Sequence, residues 1–169
     1  MSTPEVALIS IGTELTQGFT LNTNAHWLSN ECRQLGFKIA YHLALPDDAS
    51  YWNKTFKMLK EANVSIVIIT GGLGPTADDK TRELIAETFG KPLVYNVNCE
   101  EKIKAWFQKR NLTYIETNHI QACFPEGSII LENPVGSAPG FQIDEGDLHL
   151  FCLPGVPSEM KKMFQAQKI

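Results

Sequence analysis

Apolar positions follow two different periods along this chain, and each change of period marks an element. Val6-Ala7-Leu8-Ile9-Ser10-Ile11 is a near-continuous apolar run closed by Gly12, the pattern of a strand covered on both faces. From Asn24 to Leu35 the positions Ala25, Leu28, Cys32 and Leu35 keep the 3-4-3 spacing of one helix face, with Gly36 as its C-terminal stop. Phe37 to Leu45 reads as a second strand, ended by Pro46. Asp47-Asp48-Ala49-Ser50 opens a helix whose inner face is Trp52, Phe56, Leu59 and Ala62. Val64 to Thr70 is the most β-like run and ends in Gly71-Gly72. A third helix is expected from Asp78 to Phe89, closed by Gly90.

The second half is less regular. Asn98 to Arg110 predicts a helix carrying Ile103, Trp106 and Phe107, and Asn118 to Phe124 a short one stopped by Pro125. Ser128 to Leu131 predicts a short strand. Phe141-Gln142-Ile143 and His149 to Leu153 flank Asp144-Glu145-Gly146-Asp147, a hairpin turn. Val156 to Gln167 predicts a last helix with Pro157 in its first turn. Strand alternating with helix implies an α/β fold with a mostly parallel sheet, right-handed crossovers and a small β-hairpin. No repeat or linker interrupts residues 1–169, so one domain is expected.

Composition narrows the function classes. The formal net charge is −4 and no Lys/Arg cluster occurs, which argues against a nucleic-acid-coating role. No run of about 18 apolar residues offers a membrane span. The N-terminus has neither a basic segment nor an apolar one of signal-peptide type, so the cytoplasm is the expected compartment. The four cysteines stand far apart without a C-x-x-C pair and read as buried structural thiols. His26, His42, His119 and His149 share no metal-ligand spacing.

Candidate chemistry gathers where strands end, which is where open α/β sheets bind ligands. The richest segment is Thr70-Gly71-Gly72-Leu73-Gly74-Pro75-Thr76-Ala77-Asp78-Asp79. Glycines let backbone approach a bulky anion, and a following helix start offers free N–H donors. The segment is neither a Walker A loop nor G-x-G-x-x-G. Read as a plain turn, it needs only a cap at Thr76 or Asp78. The acids Glu14, Asp47, Asp48, Asp78, Asp79 and Glu159 all fall at predicted strand ends. Singly each suits a helix cap. Together they suit a divalent cation bridging carboxylates and phosphate oxygens.

Taken together, Gly12-Thr13-Glu14-Leu15, Asn22-Thr23-Asn24, Gly71 to Asp79, Asn133-Pro134-Val135-Gly136-Ser137-Ala138-Pro139-Gly140-Phe141 and Leu153 to Met160 resemble the N-terminal domain of the CinA competence/damage-inducible family, within the wider molybdopterin-binding (MoaB/MogA-like) group. The resemblance implies a three-layer α/β/α fold, a small-molecule nucleotide or pterin ligand, and a homo-oligomer. It implies metal-dependent pyrophosphatase activity on ADP-ribose, or, in the molybdenum-cofactor branch, adenylylation of molybdopterin. A non-catalytic ligand-binding domain is the third reading. Carried over by position, Gly71, Gly72, Gly74 and Thr76 correspond to the phosphate loop. Asp47 and Asp79 correspond to the acids that hold a divalent ion (Mg, Mn or Co), with Glu14 beside them in catalysis. Asn133, Gly136, Ser137, Pro154 and Gly155 correspond to the pocket's closing wall. The chain departs from the family pattern at Asn22, where Asp is more usual, and at Ile120, where a basic residue is common.

Overall fold

A computed structural model describes residues 3–167. Its elements run β1 (Glu5–Ile11), α1 (Thr13–Thr16), α2 (Thr23–Gln34), β2 (Lys38–Leu45), α3 (Trp52–Glu61), β3 (Ile66–Thr70), α4 (Thr81–Thr88), β4 (Leu93–Tyr95), α5 (Val97–Lys109), β5 (Cys123–Pro125), β6 (Ile129–Leu131), β7 (Gly140–Glu145), β8 (Leu148–Leu153) and α6 (Pro157–Gln167). The main sheet has six strands in the order β2-β1-β3-β8-β7-β6. β2, β1, β3 and β8 run parallel, and β7 is antiparallel to both neighbours.

Side-chain alternation in β1 divides the core. Val6 and Leu8 point toward α2 and α6, packing with Leu28, Cys32, Met160 and Phe164. Ala7, Ile9 and Ile11 point to the other face, with Trp52, Phe56 and Leu59 of α3 and Ile85 of α4. Helices therefore cover both faces, and β1 is buried along nearly its whole length, as its unbroken apolar run requires. The fold is the expected mixed α/β arrangement with a mostly parallel sheet and the β7–β8 hairpin.

Three local expectations need correction. The helix expected from Asp78 begins at Thr81. Asp79 turns back instead, its Oδ2 accepting from Thr76 N at 3.1 Å and Thr76 Oγ1 at 2.5 Å, and a side chain bonded to backbone this way favours a turn over a helix. Residues Asn118 to Phe124 are not a plain helix: a 3-10 segment covers Glu116–Ala122 and strand β5 follows. β5 pairs with β4 in a separate two-stranded ribbon, Leu93 opposite Pro125 and Tyr95 opposite Cys123. Of the thiols, Cys32, Cys99 and Cys152 are buried while Cys123 is half-buried. Burial pushes every thiol pKa up, that of Cys32 to about 11, which keeps them protonated and inert.

Candidate functional site

Parallel strands bring their C-terminal ends to one edge of the sheet, so the loops after β1, β2, β3 and β8 lie side by side. Backbone bonds lace them together: Gly12 N donates to Leu45 O at 3.0 Å and Gly71 N to Leu153 O at 3.0 Å. Asp47 ties the first two loops, its Oδ2 accepting from Thr13 N at 2.8 Å and Thr13 Oγ1 at 2.9 Å. Asp48, next to it, feels the charge of Lys80 beyond the glycine loop, after its stronger bonds to Ser50.

Each glycine of the loop has a reason inside the protein. A Cβ on Gly71 would come 2.5 Å from Ile11 O, one on Gly72 would overlap Thr81 Oγ1, and one on Gly74 would overlap the Asp79 carboxylate. Gly71 and Gly72 also sit at φ +105° and +67°, a region other residues resist. Thr81 closes the turn, donating from Oγ1 to Gly71 O at 2.9 Å and from N to Gly72 O at 3.1 Å. Gly12 and Gly136 repeat the arrangement: a Cβ on either would overlap a carboxylate, that of Glu14 and that of Glu159 respectively.

The closing wall is equally organised. Asn133 Oδ1 accepts from Gly136 N at 2.7 Å and Val135 N at 3.1 Å. Its Nδ2 donates to Glu159 Oε2 at 2.6 Å and Ala138 O at 2.9 Å. Glu159 thus pins the start of α6 to the 133–138 loop. Pro154 is buried and Gly155 exposed, and Gly155 O accepts from Asn24 Nδ2 at 2.7 Å. Asn22 caps α2, its Oδ1 accepting from Ala25 N at 3.0 Å and Ser10 Oγ at 3.2 Å. Asparagine thus does the capping work an aspartate would do there.

All the expected site residues therefore lie on one edge, in four groups: Glu14 with Gly12, Asp47 with Thr13, Gly71 to Asp79 with Gly155, and Asn133, Gly136 and Ser137 by Glu159. Among the described residues, no three or more His, Cys, Asp or Glu side chains converge as a metal cage. Asp47 and Asp79 each commit Oδ2 inside the protein, and no hydrogen bond holds their Oδ1 atoms. That donor set suits an Mg-type ion that arrives with a ligand's phosphates rather than one caged by protein alone.

Sequence reasoning missed Arg82, which is 0 % exposed. It follows directly on the glycine loop in α4, and its one hydrogen bond runs from Nη2 to Pro139 O at 3.3 Å. Beside Pro139 opens a cleft of about 270 Å³, lined by Asn96, Cys99, Lys102, Trp106, Asn133 and Ser137, among others. A broader depression of about 870 Å³, between α3 and the β7–β8 turn, contains none of the expected site residues.

Residues 7–169 match the family model described as a probable molybdopterin binding domain. A CinA-like protein of Dictyoglomus thermophilum is 41% identical over 158 residues, 94% of this chain and 38% of its own length. A protein of Alkaliphilus oremlandii, whose name describes it as competence-damage inducible, is 42% identical over 160 residues, 95% of this chain and 38% of its length. The chain thus spans well under half of the curated relatives it matches. A solved structure of the protein CinA, of unknown function, from Thermoplasma acidophilum superposes with TM-score 0.88 at 30% identity, covering 98% of this chain and 96% of that one. The molybdopterin biosynthesis enzyme MoaB of Thermus thermophilus shares the fold, with TM-score 0.66 at 16% identity over 97% of this chain and 89% of its own.

Proposed function

The chain belongs to the probable molybdopterin binding domain family, in its CinA-like branch, and from that premise we propose that its loop edge binds a dinucleotide pyrophosphate such as ADP-ribose and hydrolyses the phosphoanhydride. The observation that carries the proposal is the state of the two acids. Asp47 and Asp79 stand on adjoining strand-end loops, each anchored by one oxygen and open at the other. Thr13 and Thr76 fix the carboxylates' orientation, so neither loses much rotamer freedom when it engages a ligand. A bound divalent ion would offset phosphate charge and acidify water. Water adds to one phosphorus, the bridging P–O bond breaks, and AMP, ribose 5-phosphate and a proton result. Glu14, exposed beside Gly12, is the carboxylate placed to take that proton. Thr76 N is occupied by Asp79, so phosphate contact at the glycine loop falls to its remaining backbone N–H groups.

The test is incubation with ADP-ribose and Mg²⁺, Mn²⁺ or Co²⁺, following release of AMP. Asp79→Asn keeps an oxygen to accept from Thr76 but loses the charge. It is expected to keep the wild-type melting temperature and lose at least about tenfold in turnover. Wild-type turnover in this variant would remove Asp79 from the metal site. The family's molybdopterin description favours a second reading, adenylylation of molybdopterin, for which molybdopterin plus ATP is the parallel assay. Inactivity in both assays leaves a ligand-binding domain.

A further inference from the structure

Arg82 carries a buried charge that nothing nearby neutralises. Its guanidinium is fully buried, and Nε and Nη1 have no hydrogen-bond partner among the described residues. Glu83 and Asp79 lie within electrostatic range, but neither forms an ion pair with it. Burial pulls its pKa down to about 10, so it stays protonated at neutral pH. A buried, uncompensated cation is costly unless something repays it.

What adjoins Arg82 is the cleft between α5 and the 132–139 loop. Two residues of the cleft wall, Pro139 and Cys99, separate it from the guanidinium: Pro139 O takes the single Arg82 bond, and Arg82 lowers the cost of ionising Cys99. The rest of the lining is rich in donors. Trp106 Nε1–H is buried without a partner. Lys102 stands at the rim, bridged to exposed Glu132. The first turn of α5, a helix of 13 residues, opens onto the cleft through Asn98 and Cys99 with its positive dipole end. Asn96 spends its Oδ1 on capping Cys99 N at 2.9 Å, which leaves its amide N–H₂ to donate. Ile103 and Ile130 supply apolar walls.

We propose that this cleft is an anion-binding site for a phosphate-bearing small molecule, with Arg82 as the buried cation that sets its sign. Arg82 acts through its field across Pro139 and Cys99 and not by direct contact, since the guanidinium has no exposed surface. A charge behind a thin low-dielectric wall projects strongly into the adjoining space. Trp106 Nε1–H and the α5 N–H groups make the contacts. The site shares Asn133, Gly136 and Ser137 with the wall of the proposed nucleotide pocket, so it deepens that reading by giving one phosphate of the ligand a second seat. It requires neither a metal ion nor hydrolysis.

Inorganic phosphate is the probe, titrated into metal-free protein at constant ionic strength and followed by calorimetry and Trp fluorescence. Wild type is expected to bind phosphate in the millimolar range with a fluorescence change, chloride at equal ionic strength producing none. Arg82→Met is expected to weaken binding at least about fivefold, Arg82→Lys to retain part of it, and Trp106→Phe, which keeps a ring but loses the N–H, to weaken it about twofold or more. Phosphate-free Arg82→Met is expected to melt no lower than wild type, because an uncompensated charge has been removed. Wild-type phosphate affinity in Arg82→Met and Trp106→Phe would overturn the site. If Arg82→Met fails to fold, wild-type affinity in Arg82→Lys and Trp106→Phe does so equally. Loss of ADP-ribose turnover with phosphate binding intact would sink only the hydrolase reading.

Discussion

Gly72 shows at the scale of one residue how a ligand signature and a folding requirement coincide. Its φ of +67° and the hydroxyl of Thr81 against its Cα both exclude a side chain before any phosphate is considered. Gly72→Ala should therefore destabilise the unliganded protein by about 1–3 kcal/mol, part of it left-handed strain and part loss of the Thr81 bond to Gly71 O. Urea unfolding without ligand measures this. An unchanged midpoint would return the glycine to a purely ligand-facing role. The same pairing recurs where Gly74 meets Asp79 and Gly136 meets Glu159. Glycine in these loops makes room for carboxylates, and the carboxylates hold the loops. A sequence displays the glycines plainly but not which atom each one admits, because that depends on a residue five or twenty-three positions away.

At the scale of elements, long periodic segments were legible and short ones were not. β1, β2, β3 and α2 declare themselves through six or more patterned residues. β4 and β5 have three residues each, too few to show a period, and exist because they pair with one another and cover α4 and α5. Arg82 was equally hidden, since an arginine in a helix ordinarily faces water. The ribbon region also holds Glu100, whose buried carboxylate accepts from Lys104 Nζ at 2.6 Å, Tyr114 OH and Tyr95 OH at 2.7 Å, and His119 Nδ1 at 3.0 Å. These donors, Lys104 first, hold the Glu100 carboxyl well below the ordinary carboxylate range. A lowered folded-state pKa gives stability that is complete above the unfolded value of about 4.3 and lost as pH falls toward the folded one. Glu100→Gln should accordingly be less stable than wild type at pH 7, with the gap shrinking below about pH 4. Denaturant midpoints across that range decide it. A gap independent of pH would mean that packing, and not the ionised carboxylate, is what the substitution disturbs.

For the molecule as a whole, the sheet is a partition between two cores that share a backbone but not side chains. Ile68 and Ile69 are successive residues of β3, both essentially unexposed, yet Ile68 packs with α2 and α6 while Ile69 packs with the α3 and α4 side. Ile9 stands opposite Ile69 on β1 and belongs to the same core. Each Ile→Val change removes one methylene and should cost about 0.5–1.5 kcal/mol. Nothing but a peptide bond connects the Ile68 and Ile69 environments, so the double Ile68→Val, Ile69→Val should add within about 0.5 kcal/mol. Ile9 and Ile69 border one space, where a second truncation either enlarges the first cavity or lets the walls close on it. The double Ile9→Val, Ile69→Val should depart from additivity by about 0.5 kcal/mol or more. A domain of ordinary stability, about 5–15 kcal/mol, keeps both doubles folded and measurable. The two cycles by urea denaturation read the architecture directly. Coupling across the sheet equal to coupling along one face would mean that the helical layers act as a single core, contrary to the alternation of β1.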